Sequence, residues 1–126
     1  MRRDMDLIRR MLIEAEESDE PIRDARLKFM AGDDQRKALY HVELLQGYGL
    51  VNATIRRTTG ADLAVFSIDG LTWEGCDYLD AIRSDTVWRK VRDAVTRTLG
   101  DVPLMVTKNV CTSLATKMAM NELGLS

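Results

Sequence analysis

Seven residues carry the chemistry that this chain can most plainly offer, and they fall in two clusters. Arg36, Lys37 and Tyr40 lie in the front half of one amphipathic stretch, and Arg56, Arg57, Thr58 and Thr59 follow in a polar turn. Arginine can bond guanine through two parallel hydrogen bonds, and lysine can meet a base edge or a phosphate. Cations and hydroxyls at a loop tip suit backbone phosphates or the minor groove. Together the two clusters predict an interface for double-stranded DNA. Local charge argues against it: Asp33 to Gly47 holds two cations, Arg36 and Lys37, against three anions, Asp33, Asp34 and Glu43.

Other chemistry is poorly supplied. The single histidine, His41, sits in a helical, partly apolar stretch. It is expected to be buried with a hydrogen-bonded nitrogen, because a catalytic imidazole needs a nucleophile and an orienting partner. Cys76 and Cys111 lack the paired spacing of a zinc site and are expected to be small buried hydrophobes. Carboxylates are plentiful, but no pair stands out for acid–base work. No Walker motif and no Rossmann glycine pattern occurs. Neither an enzyme, a metal nor a cofactor is expected.

The elements that must position the two clusters follow from periodicity and caps. Asp4 to Glu17 reads as a helix with Asp4 as N-cap and Met5, Ile8, Met11, Leu12 and Ala15 on its apolar face. Arg10 and Glu14, four apart, are placed to pair. Ser18 to Pro21 is a turn. Ile22 to Met30 reads first as a short strand against the later hairpin, with a degenerate helix as the alternative. Asp33 is expected to cap a helix carrying Ala38, Leu39, Val42 and Leu45, which Gly47 and Gly49 end. Two strands follow, Leu50 to Arg57 and Ala64 to Ile68, joined through Gly60. Thr72 can cap the next helix, to Arg83, burying Tyr78, Leu79 and Ile82. Ser84 and Asp85 can cap another, Thr86 to Leu99, with Trp88, Val91 and Val95 on one face. Pro103 starts a last helix along which Val106, Val110, Leu114 and Met118 recur. Trp73 and Trp88 are both expected to be structural.

Helix, turn, strand, loop, strand and helix from Asp33 to Tyr78 is the order of the second half of a winged helix. The stretch HVELLQGYGLV resembles a recognition helix running into its first wing strand. The block LTWEG, continuing through YLDAIR and DTVW, and the opening RRDMDLIRRMLIEAEE resemble an uncharacterised bacterial and phage family, domain-of-unknown-function family 2513. That resemblance implies a fold and a phage or prophage setting, and it implies no activity.

The bulk numbers bound the rest. In 126 residues, 45% hydrophobic and 30% charged, one domain with a core is expected: residues 1–83 as its body and 84–126 as a helical extension. Two distant cysteines and no membrane-length apolar run predict a cytoplasmic protein. A net charge of −2 does not advertise a nucleic-acid binder. The expectation is an α+β winged helix-turn-helix-like domain that binds DNA as a small phage-type regulator. The alternative is a protein-binding module on the same scaffold, such as a phage inhibitor of a host defence protein. The last two helices serve the core or a homodimer contact.

Overall fold

Asp4 starts the first helix as the sequence predicts. Its backbone is extended and its carboxylate accepts the Leu7 amide at 3.1 Å, satisfying one of the donors that a helix start leaves open. In the computed structural model, which describes residues 1–57, 64–98 and 104–124, this helix is α1, Met5–Glu17. It buries Leu7, Ile8, Met11, Leu12 and Ala15. Leu7 joins the expected face, and Met5 is only half-buried. Arg10 and Glu14 form no ion pair with each other, although the Arg10 charge still helps to lower the Glu14 pKa. Glu14 takes Arg26 instead, and Arg10 reaches the Met30 carbonyl at 3.5 Å. Both side chains face the segment that packs on α1, where fixed partners compete with a neighbour on the same helix.

The ambiguous stretch after the turn is strand and helix in succession. β1 is only Ile22–Arg23, and α2, Asp24–Met30, follows at once. Ile22 is buried and Arg23 exposed, and α2 buries Leu27 and Met30. Gly32 and Asp33 then take positive φ, 70° and 63°. That left-handed backbone prevents Asp33 from being the N-cap, which needs an extended conformation. Asp34 is the cap instead: it is extended, and its carboxylate accepts the Lys37 amide at 3.1 Å.

α3, Gln35–Gly47, buries Ala38, His41, Val42 and Leu45. It ends in a left-handed turn at Gly49, φ 82°, with the Leu50 amide reaching back to the Leu45 carbonyl at 2.9 Å. β2, Val51–Arg57, and β3, Ala64–Leu71, then form an antiparallel hairpin with a register shift at Asn52/Ala53. β1 pairs with the far edge of β3, so the three-stranded antiparallel sheet has the order β1-β3-β2. Ala64, Phe66 and Ile68 are buried on one sheet face, opposite Arg57, Ile55 and Ala53 of β2. Thr54, Arg56, Val65, Ser67 and Asp69 occupy the other face, as the two-residue period of a strand requires.

The chain divides into two compact units, Met1–Asp77 and Tyr78–Ser126. Helix α4, Trp73–Ile82, crosses the boundary, and α5, Asp85–Thr98, and α6, Leu104–Glu122, complete the second unit. Tyr78, Leu79 and Ile82 are buried as expected, with Val87, Trp88 and Val91 of α5. Ser84 caps α5 through the Val87 amide at 3.3 Å. On α6 the buried residues are Thr107 and Cys111, whereas Val106, Val110 and Met118 of the expected stripe are exposed. The α+β class therefore holds. Val95 lies among side chains outside the described residues, and so do Thr58, Thr59, Gly60 and Pro103 altogether.

Two expectations fail at the start of α4. Trp73 is 83% exposed, and Cys76, one turn on, is exposed too. The turn fixes itself without them. Thr72 donates its hydroxyl to the Gly49 carbonyl at 2.5 Å and its amide to the Leu50 carbonyl at 3.0 Å, and the same hydroxyl accepts the Gly75 amide at 3.0 Å.

Candidate nucleic-acid interface

The buried side of α3 sets which of its residues are left to act. With Ala38, Val42 and Leu45 inside, the helical period leaves Arg36, Tyr40, Glu43 and Gly47 along the open side. Two side-chain ties hold the helix to the hairpin. Gln35 Nε2 donates to the Ala64 carbonyl at 3.4 Å near one end, and Gln46 Nε2 donates to the Ala53 carbonyl at 2.8 Å near the other. A short helix held at both ends presents its open face as one rigid surface.

His41 shows how the inner face is pinned. The side chain is fully buried, its Nε2 accepts the Asp4 amide at 2.8 Å, and its Nδ1 lies 2.7 Å from the Lys37 carbonyl. A carbonyl only accepts and an amide only donates, so the ring is neutral with its proton on Nδ1. Tyr40 packs edge-on against it, with centroids 5.3 Å apart. Burial lowers the His41 pKa below its usual 6.5, against the raising pull of the Lys37 carbonyl and the Asp4 charge. Burial alone would raise the Asp4 carboxyl, but hydrogen bonds from Lys37 and the Leu7 amide and the Lys37 charge leave it below 3.8.

An unfolded His41 takes up a proton near pH 6.5, while the folded one stays neutral to lower pH. Stability from this group is therefore complete above 6.5 and is lost as pH falls through the window beneath it. Asp4 adds a second loss below 3.8. Urea melts of the parent will weaken as pH falls below about 6.5, and His41→Gln, which cannot titrate, will flatten that slope. Equal slopes in the two proteins would contradict the assignment.

The seven expected contact residues do not form one cluster. Arg36 is exposed and makes no hydrogen bond or ion pair among the described residues. Tyr40 is half-buried beside it. Lys37 is turned toward α1, where its Nζ meets Asp4 at 2.9 Å. Arg57 lies on the α3 side of the hairpin and pairs with Glu43. Arg56 points to the opposite sheet face, so the two adjacent arginines cannot act as a pair. Thr58 and Thr59 lie outside the described residues. Sequence reading missed Arg23, which shares the outer sheet face with Arg56. An open depression of about 300 Å³ there is lined by both arginines, and Asp69 accepts the Thr54 and Ser67 hydroxyls at 2.7 and 2.8 Å. The signal was available once Ile22 was known to point inward.

Among the described residues, no group of three or more His, Cys, Asp or Glu side chains is placed to hold a metal ion. No helix among them is long and apolar enough to cross a membrane.

Comparison with known proteins gives a family but no activity. An uncharacterized protein of Haemophilus influenzae is 30% identical over 118 residues, covering 94% of this chain and 98% of that protein. No solved structure matches the chain. Residues 2–100 match the family described as hypothetical protein DUF2513, and the chain belongs to that family.

Proposed function

We propose that this protein is a winged helix that binds double-stranded DNA, acting as a small regulator of the phage or prophage type. The observation that carries the reading is the order α1-β1-α2-α3-β2-β3 with sheet order β1-β3-β2, which leaves the open face of α3 beside a hairpin that carries Arg57 on the same side. In this reading α3 enters the major groove with Arg36 as the base reader and Tyr40 at its side. Arg57 exchanges Glu43 for a phosphate. The exchange is cheap, because an exposed ion pair contributes no more than about 1 kcal/mol. Thr58 and Thr59, at the hairpin tip in sequence, add hydroxyls for the backbone. Lys37 serves position rather than contact, through Asp4. Arg56 is not part of this face.

A second reading has its own support. With Lys37 and Arg57 both neutralised by partners, and Leu39 and Leu44 half-exposed on α3, the same face suits a protein surface. A phage-encoded inhibitor of a host defence protein would use it that way.

Titration of random and selected duplexes at two salt concentrations separates the readings. Arg36→Ala will relax sequence preference by about 1–3 kcal/mol. Arg57→Ala will weaken all duplexes alike and lower the salt slope by about one. Glu43→Gln will tighten binding, since it frees Arg57 and removes an anion, and Arg56→Ala will change little. A parent that binds no duplex at low salt ends the regulator reading and leaves the protein-binding one.

A further inference from the structure

In the LTWEG block, structural demand accounts for Thr72 and Gly75 but not for Trp73. Thr72 is the cap and the bridge to Gly49, and Gly75 lies where a Cβ would sit 1.9 Å from the Leu50 carbonyl oxygen. Trp73 between them is 83% exposed. It has no hydrogen bond, ring contact or ion pair among the described residues, yet it carries the largest apolar surface of any side chain type. Tyr48 is 42% exposed. It precedes Gly49 as Trp73 follows Thr72, so the two aromatic residues flank one hydrogen-bonded joint, Thr72 Oγ1 to the Gly49 carbonyl. Glu74 and Asp77 are exposed beside Trp73 and have no partner among the described residues. Asp77 lies one helical turn along, on the same stripe. Acidic residues favour a helix start, which explains Glu74 without a ligand. That benefit does not explain an indole in water.

We propose that the Trp73–Tyr48 surface docks a basic protein segment, with an arginine of the partner stacked on the indole and paired with Glu74 or Asp77. Charge selects the occupant. The aromatic faces attract a cation, the two exposed carboxylates add to that attraction, and both repel a nucleic acid or an anionic membrane. The surface also lies away from Arg36, because Tyr48 is twelve residues further along, about 18 Å at helical rise. The protein can therefore hold a duplex at one end of α3 and a basic partner at the other. This inference does not depend on the DNA reading.

The probe is a labelled synthetic peptide of arginine, leucine and glycine, followed by fluorescence anisotropy. Its control has citrulline in place of each arginine, which keeps shape and removes charge. The parent will bind the arginine peptide, and will bind the citrulline peptide about tenfold more weakly or worse. Trp73→Ala will lose about tenfold or more, while its melting curve and its binding to duplexes stay at parent values. Glu74→Gln with Asp77→Asn will lose several-fold. Reaction of Cys76 with a thiol reagent will slow when the peptide is bound, since the exposed Cys76 sits one turn from Trp73 and Cys111 is buried. The proposal is overturned if the parent binds neither peptide, if it binds both alike, or if Trp73→Ala binds as the parent does.

Discussion

Replacing Trp88 with alanine will cost about 3–5 kcal/mol of folding stability, and replacing Trp73 will cost almost none. The two tryptophans of this chain differ in environment by nearly the full range. Trp88 is 3% exposed among the buried Val87 and Val91 of α5, and Trp73 is 83% exposed. Truncating a buried indole removes its transfer free energy and leaves a void that neighbours fill only in part. Truncating an exposed one changes little in the folded state. Denaturant melts of the two variants beside the parent read the difference. A Trp88→Ala midpoint equal to the parent's contradicts the burial, and a large loss in Trp73→Ala contradicts the exposure on which the docking surface rests.

Gly75→Ala will be the most damaging of the small changes, at roughly 2–3 kcal/mol. A Cβ at Gly75 meets the Leu50 carbonyl oxygen at 1.9 Å and the carbonyl carbon at 2.9 Å. Both are backbone atoms, so no side chain can swing aside. The Leu50 carbonyl already accepts the Thr72 amide, and Leu50 is 2% exposed. The first turn of α4 must then lift from the loop after α3, which also breaks the Thr72 bridge to Gly49. Gly47→Ala is the control. It is the last residue of α3, with nothing within 4 Å of its Cβ position, so alanine there will stabilise by up to about 1 kcal/mol. Thermal melts of the pair should move in opposite directions. A Gly75→Ala protein as stable as the parent contradicts the close approach of α4 to Leu50.

What could be read from the sequence follows the range of the forces involved. Caps and glycine stops are local, and Asp4, Thr72, Ser84 and Gly49 were all legible. Asp33 against Asp34 was not, because the choice depends on the left-handed turn that Gly32 starts. Ile22 to Met30 looked ambiguous because it contains both structures, a two-residue strand that turns directly into a helix. His41 was legible as a buried, bonded ring, but its partner Asp4 lies 37 positions away. The same distance in sequence concealed the capture of Lys37 by Asp4, and the Glu43–Arg57 pair joins two separate elements. Long side chains choose among partners only after the fold has placed them. The opposite facing of Arg56 and Arg57 was legible from strand period alone. Reading them as one cationic tip gave the turn's composition more weight than the alternation of the strand. For Trp73, proximity to an apolar run suggested burial, whereas helix phase places it on the open side from Tyr78 and Ile82.

We propose the open face of α3, with Arg57 beside it, as the place where a DNA duplex docks. Mapping amide chemical shifts of labelled protein against a selected duplex tests this most directly. The largest changes will fall on Gln35 to Glu43 and on Arg57, and they will fade as salt is raised. Amides there that stay unmoved at saturating duplex, or changes confined to Trp73 to Asp77, would contradict it.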